Sequence, residues 1–118
     1  MSGNNFWILA VVGVVAVVAM RMMGGAGGAG GSMVMEKIKA GAVIVDVRTP
    51  EEFAGGSYPG AKNIPVQVIG SRLNEIPKDK PVVVFCKSGG RSSVAAATLK
   101  QAGYTDVTNA GGLGDMPR

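Results

Sequence analysis

The chain has 118 residues, room for one small domain. Its net charge of +4 comes from scattered Lys and Arg without interleaved aromatics, which argues against a nucleic-acid partner. One cysteine and no histidine exclude an intramolecular disulfide, a Ser-His-Asp or Cys-His site, and any zinc site that needs His.

Residues 6–20 form an uninterrupted apolar run. As a helix it spans roughly 22 Å, and roughly 27 Å if extended through Met23, against a hydrocarbon core of about 30 Å. Trp7 and a snorkelling Arg21 suit the two interfaces. The expectation is one N-terminal transmembrane helix, or uncleaved signal anchor, over residues 1–23. A flexible Gly/Ala linker follows over 24–32, and a folded domain over 33–118. Arg21, Lys37 and Lys39 follow the span and nothing basic precedes it. The expected protein is therefore single-pass, partnered with the membrane, with its domain in the cytoplasm. The alternative is a cleaved signal peptide and a secreted or periplasmic domain, although the first residues lack the usual Lys or Arg.

In the domain, residues 33–40 predict a short helix with Gly41 after it. Residues 43–47 are short and β-branched, a buried strand. Thr49, Pro50 and Glu52 read as N-cap, N1 and N3 of a brief helix with a capping box, ended by Gly55 and Gly56. Residues 61–65 read as extended. Val66, Ile69, Leu73 and Ile76 have helical spacing, stopped by Pro77. Residues 82–85 predict a second buried strand, residues 92–102 an Ala-rich helix, and residues 104–109 contain a third strand. This alternation predicts an α/β domain: a central, mostly parallel sheet with helices on both faces. Ligand sites in such sheets lie at the carboxyl ends of strands, which is where Cys86 falls.

The segment Cys86-Lys87-Ser88-Gly89-Gly90-Arg91-Ser92 joins a strand to a helix. Gly89 and Gly90 allow positive φ and close approach, so successive amides can turn inward. The helix N-terminus adds partial positive charge and Arg91 a full one. Together these favour a Cys86 thiolate and an anion above it. A lone cysteine at a strand end is more often a small buried hydrophobe; the loop around this one changes that reading.

This loop, a Cys, four residues and an Arg, resembles the active-site loop of the rhodanese family. Asp46-Val47-Arg48 with Thr49-Pro50-Glu51-Glu52-Phe53 resembles the family's Asp-Val-Arg element. Pro59-Gly60-Ala61 with Asn63-Ile64-Pro65 resembles its Pro-Gly-Ala stretch, and Gly111-Gly112 its late Gly-Gly pair. The resemblance covers about residues 33–116. It implies a rhodanese-like three-layer fold and sulfur transfer without metal or cofactor. Cys86 would take sulfur from a small anionic donor such as thiosulfate and become a persulfide. It would then pass that sulfur to cyanide or a thiol. The amides of Lys87 to Ser92 would hold the persulfide, Lys87 and Arg91 would attract the donor, and Asp46 and Arg48 would support the loop. A non-catalytic sulfur relay is the alternative. A phosphatase or arsenate reductase is less favoured, because related loops with that chemistry hold one more residue between Cys and Arg. Two departures stand out. Ser57 and Tyr58 occupy the place of a family His. Met116 replaces a Trp and no closing helix follows it, which implies weaker packing at the C-terminal edge.

Overall fold

The computed structural model describes residues 29–118. The fold runs α1 (Gly31–Lys39), β1 (Val43–Asp46), α2 (Pro50–Ala54), β2 (Lys62–Asn63), two 3-10 turns (Val66–Ser71 and Leu73–Glu75), β3 (Val82–Cys86), α3 (Gly90–Gln101) and β4 (Val107–Gly112), with a last 3-10 turn at Leu113–Asp115. The four strands form one sheet in the order β2-β1-β3-β4, and every neighbouring pair is parallel.

The buried Val/Ile runs of β1 and β3 make the sheet's centre, because such strands are covered on both faces. Alternation along β3 divides its side chains. Val82, Val84 and Cys86 pack under α3 with Ala95, Ala96 and Leu99. Val83 and Phe85 face the other way, onto Val34 and Ile38 of α1. Three layers follow, as the expected architecture requires. On α3, Ser92, Ala95, Ala96 and Leu99 recur at three and four residues, and these are the positions it buries.

Some local expectations change. α1 begins at Gly31, inside the segment read as linker, and the Ala29 amide donates to the Asn109 carbonyl at 2.8 Å. The Val66 to Ile76 stretch is two 3-10 turns rather than one helix. Gly70 and Ser71 are weak helix formers, and the Tyr104 hydroxyl ties down the Leu73 and Ile76 carbonyls. β4 lies later than expected, at Val107–Gly112. The C-terminal edge is not loose: Met116 is 4% exposed and packs into the α1-side core.

The transmembrane expectation is corrected. Among the described residues no helix is long and apolar enough to cross a membrane. The longest, α3, has 12 residues, about 18 Å against a hydrocarbon core of about 30 Å. The apolar run assigned to residues 1–23, and the linker as far as residue 28, lie outside the described residues. The single-pass placement with a cytoplasmic domain, its secreted or periplasmic alternative and the membrane partner therefore have no structural support and are set aside.

Candidate active site

β3 delivers Cys86 to the carboxyl end of the sheet, and the chain turns at once into α3. The turn needs Gly89, whose φ of +106° lies in the left-handed region. The Gly89 amide points back at Cys86, and its N–H donates to Sγ at 2.9 Å. Gly90 is different from expectation: it starts α3 without a positive φ, and a Cβ there would meet open space.

Ser92 stands one turn into the loop's helix and is fully buried. Its Oγ lies 3.4 Å from Cys86 Sγ, 2.7 Å from Asn109 Oδ1, 3.1 Å from the Gly89 carbonyl and 3.3 Å from the Gly111 carbonyl. One hydroxyl proton serves these acceptors in turn. With a thiol, S–H can donate to Oγ while the hydroxyl donates to Asn109. With a thiolate, the hydroxyl can donate to sulfur, and Asn109 Oδ1 still accepts the Gly111 amide at 2.9 Å.

Burial pushes the Cys86 thiol up, but the Ser92 hydroxyl and the Ser92, Gly89 and Ser88 amides outweigh it. The net effect is a thiol held below its ordinary value. Cys86 is 1% exposed, so the thiolate is sheltered at the bottom of its loop.

A register shift in the β3–β4 ladder between Val84 and Phe85 leaves Ala110 as an extra residue in β4, a bulge beside the site. It brings Gly112 against the loop, where a Cβ would collide with the Lys87 carbonyl. The Gly-Gly pair thus has a steric cause: Gly111 carries φ +91° and Gly112 gives clearance.

The other expected site residues are placed as follows. Arg91 reaches across to α2. Its guanidinium forms a two-pronged pair with Glu52, Nη1 to Oε1 at 2.7 Å and Nη2 to Oε2 at 3.1 Å. That pair holds the Glu52 carboxyl at about 2, with help from the Thr49 amide and hydroxyl. Lys87 is exposed and lines a cleft of about 1180 Å³ with Ile38, Arg48, Glu52, Tyr58 and Leu113, whereas the Cys86 side chain packs under α3.

Asp46 and Arg48 form a buried bidentate pair, Nε to Oδ1 at 2.9 Å and Nη2 to Oδ2 at 2.7 Å. Asp46 also accepts the Arg48 amide and the Ser57 hydroxyl, and Arg48 reaches the Gly56 carbonyl. They brace the 48–57 loop. Ser57 thereby has a role at the position of the family His. The sequence does not point to Asn109, and it marks Glu52 only as a residue of the helix start and its capping box. The capping box marked Glu52; nothing local marked Asn109. Among the described residues no group of side chains could hold a metal ion.

The family profile described as "Rhodanese-like domain" matches residues 32–113. The chain belongs to the rhodanese-like domain family. A protein named sulfurtransferase from Allochromatium vinosum is 49% identical over 67 residues, covering 57% of this chain and 63% of that one. Thiosulfate sulfurtransferase PspE of Escherichia coli is 40% identical over 74 residues, covering 61% and 71%. A solved structure described as a rhodanese with anions from E. coli superposes with a TM-score of 0.61 at 39% identity, over 64% of this chain and 94% of that one. The match spans less than two thirds of the Allochromatium protein's length. The rhodanese-like fold, with its central parallel sheet, is thus supported by sequence and by superposition alike.

Proposed function

We propose that this rhodanese-like domain is a sulfurtransferase that carries sulfane sulfur as a persulfide on Cys86. The observation that carries the reading is the sulfur's setting: a buried Cys86 Sγ that accepts the Gly89 amide at 2.9 Å, with the Ser92 hydroxyl at 3.4 Å. That is a nucleophile kept anionic by fixed dipoles.

With thiosulfate as donor, Cys86 Sγ attacks the outer sulfur. The Sγ–S bond forms, the donor S–S bond breaks and sulfite leaves with its electron pair. The charge now rests on the outer sulfur of the persulfide, where the loop amides and Ser92 would stabilise it. Cyanide or a thiolate then attacks that outer sulfur, and Cys86 departs as the thiolate. The four-residue spacing between Cys86 and Arg91 counts against a phosphatase or arsenate reductase. Intact mass after thiosulfate treatment tests the reading: about 32 Da should be added to the wild type and not to Cys86→Ser, the adduct of covalent sulfur transfer. No adduct on the wild type with either thiosulfate or an organic persulfide overturns it.

The sulfur-relay reading draws on the Arg91–Glu52 pair, which neutralises a cation that an efficient thiosulfate enzyme would use. Under it, thiosulfate:cyanide turnover is negligible while the persulfide is stable.

A further inference from the structure

Arg91 sits where the Cys86 loop becomes α3, and Glu52 meets it from N3 of α2, 39 positions earlier in the chain. The carboxylate is itself fixed. The Thr49 amide donates to Oε1 at 3.1 Å and the Thr49 hydroxyl lies 3.2 Å from the same atom. The α2 capping box therefore orients Glu52, and Glu52 orients and neutralises Arg91. The guanidinium still feels the Cys86 thiolate and the Asp46 carboxylate. Cys86 is thus stabilised by neutral donors, namely the loop amides and the Ser92 hydroxyl, while the nearby full charge is cancelled. Lys87 lines the same cleft as Glu52 and Arg48, whereas the carboxylate that meets the Arg91 guanidinium is that of Glu52.

We propose that Glu52 is a positioning residue that sets the charge selectivity of Cys86: by holding Arg91 in a neutral pair, it makes the site favour an uncharged organic persulfide over the dianion thiosulfate. This deepens, and rests on, the reading of Cys86 as the sulfur-bearing thiolate. With such a donor, RSSH, Cys86 Sγ attacks the outer sulfur and the donor S–S bond breaks. The departing sulfur takes the proton, giving RSH and the Cys86 persulfide anion.

The test needs no sulfur transfer. Iodoacetate and iodoacetamide alkylate the same thiolate and differ by one negative charge, so the ratio of their rates reports the field at Cys86 and cancels the thiolate fraction. Glu52→Gln keeps a residue able to complete the capping box, and removes the charge opposing Arg91. The iodoacetate:iodoacetamide ratio should rise roughly three- to tenfold at low ionic strength and relax toward the wild-type value in about 1 M salt. A helix-packing role alone would not move this ratio. Arg91→Gln, which leaves the Glu52 carboxylate unopposed, should lower it below wild type and serves equally should Glu52→Gln not fold. A ratio unchanged or lowered in Glu52→Gln, or unchanged in Arg91→Gln, overturns the proposal. If the ratio shifts as expected but no persulfide forms with any donor, the electrostatic role of Glu52 stands and the sulfur-transfer reading falls.

Discussion

Ser92→Ala isolates the hydroxyl that links Cys86 to the strand-end carbonyls. In the folded protein that hydroxyl is fully buried and shares one proton among Cys86 Sγ at 3.4 Å, Asn109 Oδ1 at 2.7 Å and two carbonyls. Truncation leaves Asn109 Oδ1 with the Gly111 amide, so one acceptor keeps a partner. The stability cost should therefore sit near one ordinary hydrogen bond, about 1 kcal/mol. For a domain of this size that lowers Tm by about 4–8 °C. The effect on sulfur should be larger in kind. A hydrogen bond to a charged group is worth about 1.5–3 kcal/mol, and the lower figure already means roughly a tenfold loss of thiolate at a fixed pH below the midpoint. Iodoacetamide alkylation followed by mass across a pH series reads this directly, with the exposed Ser93→Ala as the control. If Ser92→Ala alkylates as fast as wild type at pH 7, the hydroxyl does not hold the thiolate and the site's electrostatics are misassigned.

Three further outcomes are expected. Gly89→Ala should lose about 1–2 kcal/mol in urea unfolding, because its φ of +106° disfavours a Cβ, while Gly90→Ala should lie within about 0.5 kcal/mol of wild type or be stabilising; equal losses would refute the distinction. Asp46→Ala strands Arg48 in a buried setting and should cost about 3–5 kcal/mol, so a loss under about 1 kcal/mol would show that the pair is not structural. The Cys86 thiol is held below its ordinary value, so the thiolate favours the folded state. That contribution is complete above the unfolded thiol value of about 8.5 and is lost as pH falls through the folded one. The Tm gap between wild type and Cys86→Ala should therefore widen in favour of wild type as pH rises toward about 8.5 and level off above it. A gap that narrows over that range contradicts the sign.

Features written in consecutive residues were legible in the linear chain. The β-branched runs became β1 and β3, the Thr49-Pro50-Glu51-Glu52 capping box formed as read, and the strand–Cys–Gly–helix order placed Cys86 at a strand end. Backbone propensity, capping and turn chemistry act over a few residues, so their signals survive in the linear chain. Which charges and acceptors meet was settled by the packing of distant segments. Glu52 finds Arg91 across 39 positions, Ser92 finds Asn109 across 17, and Lys87 comes to line one cleft with Glu52. The Val66 to Ile76 stretch had helical spacing, yet Tyr104, 28 positions beyond Ile76, helps fix it as 3-10 turns. Long-range pairing depends on how layers stack and where a bulge re-aims a strand, and no local pattern encodes either.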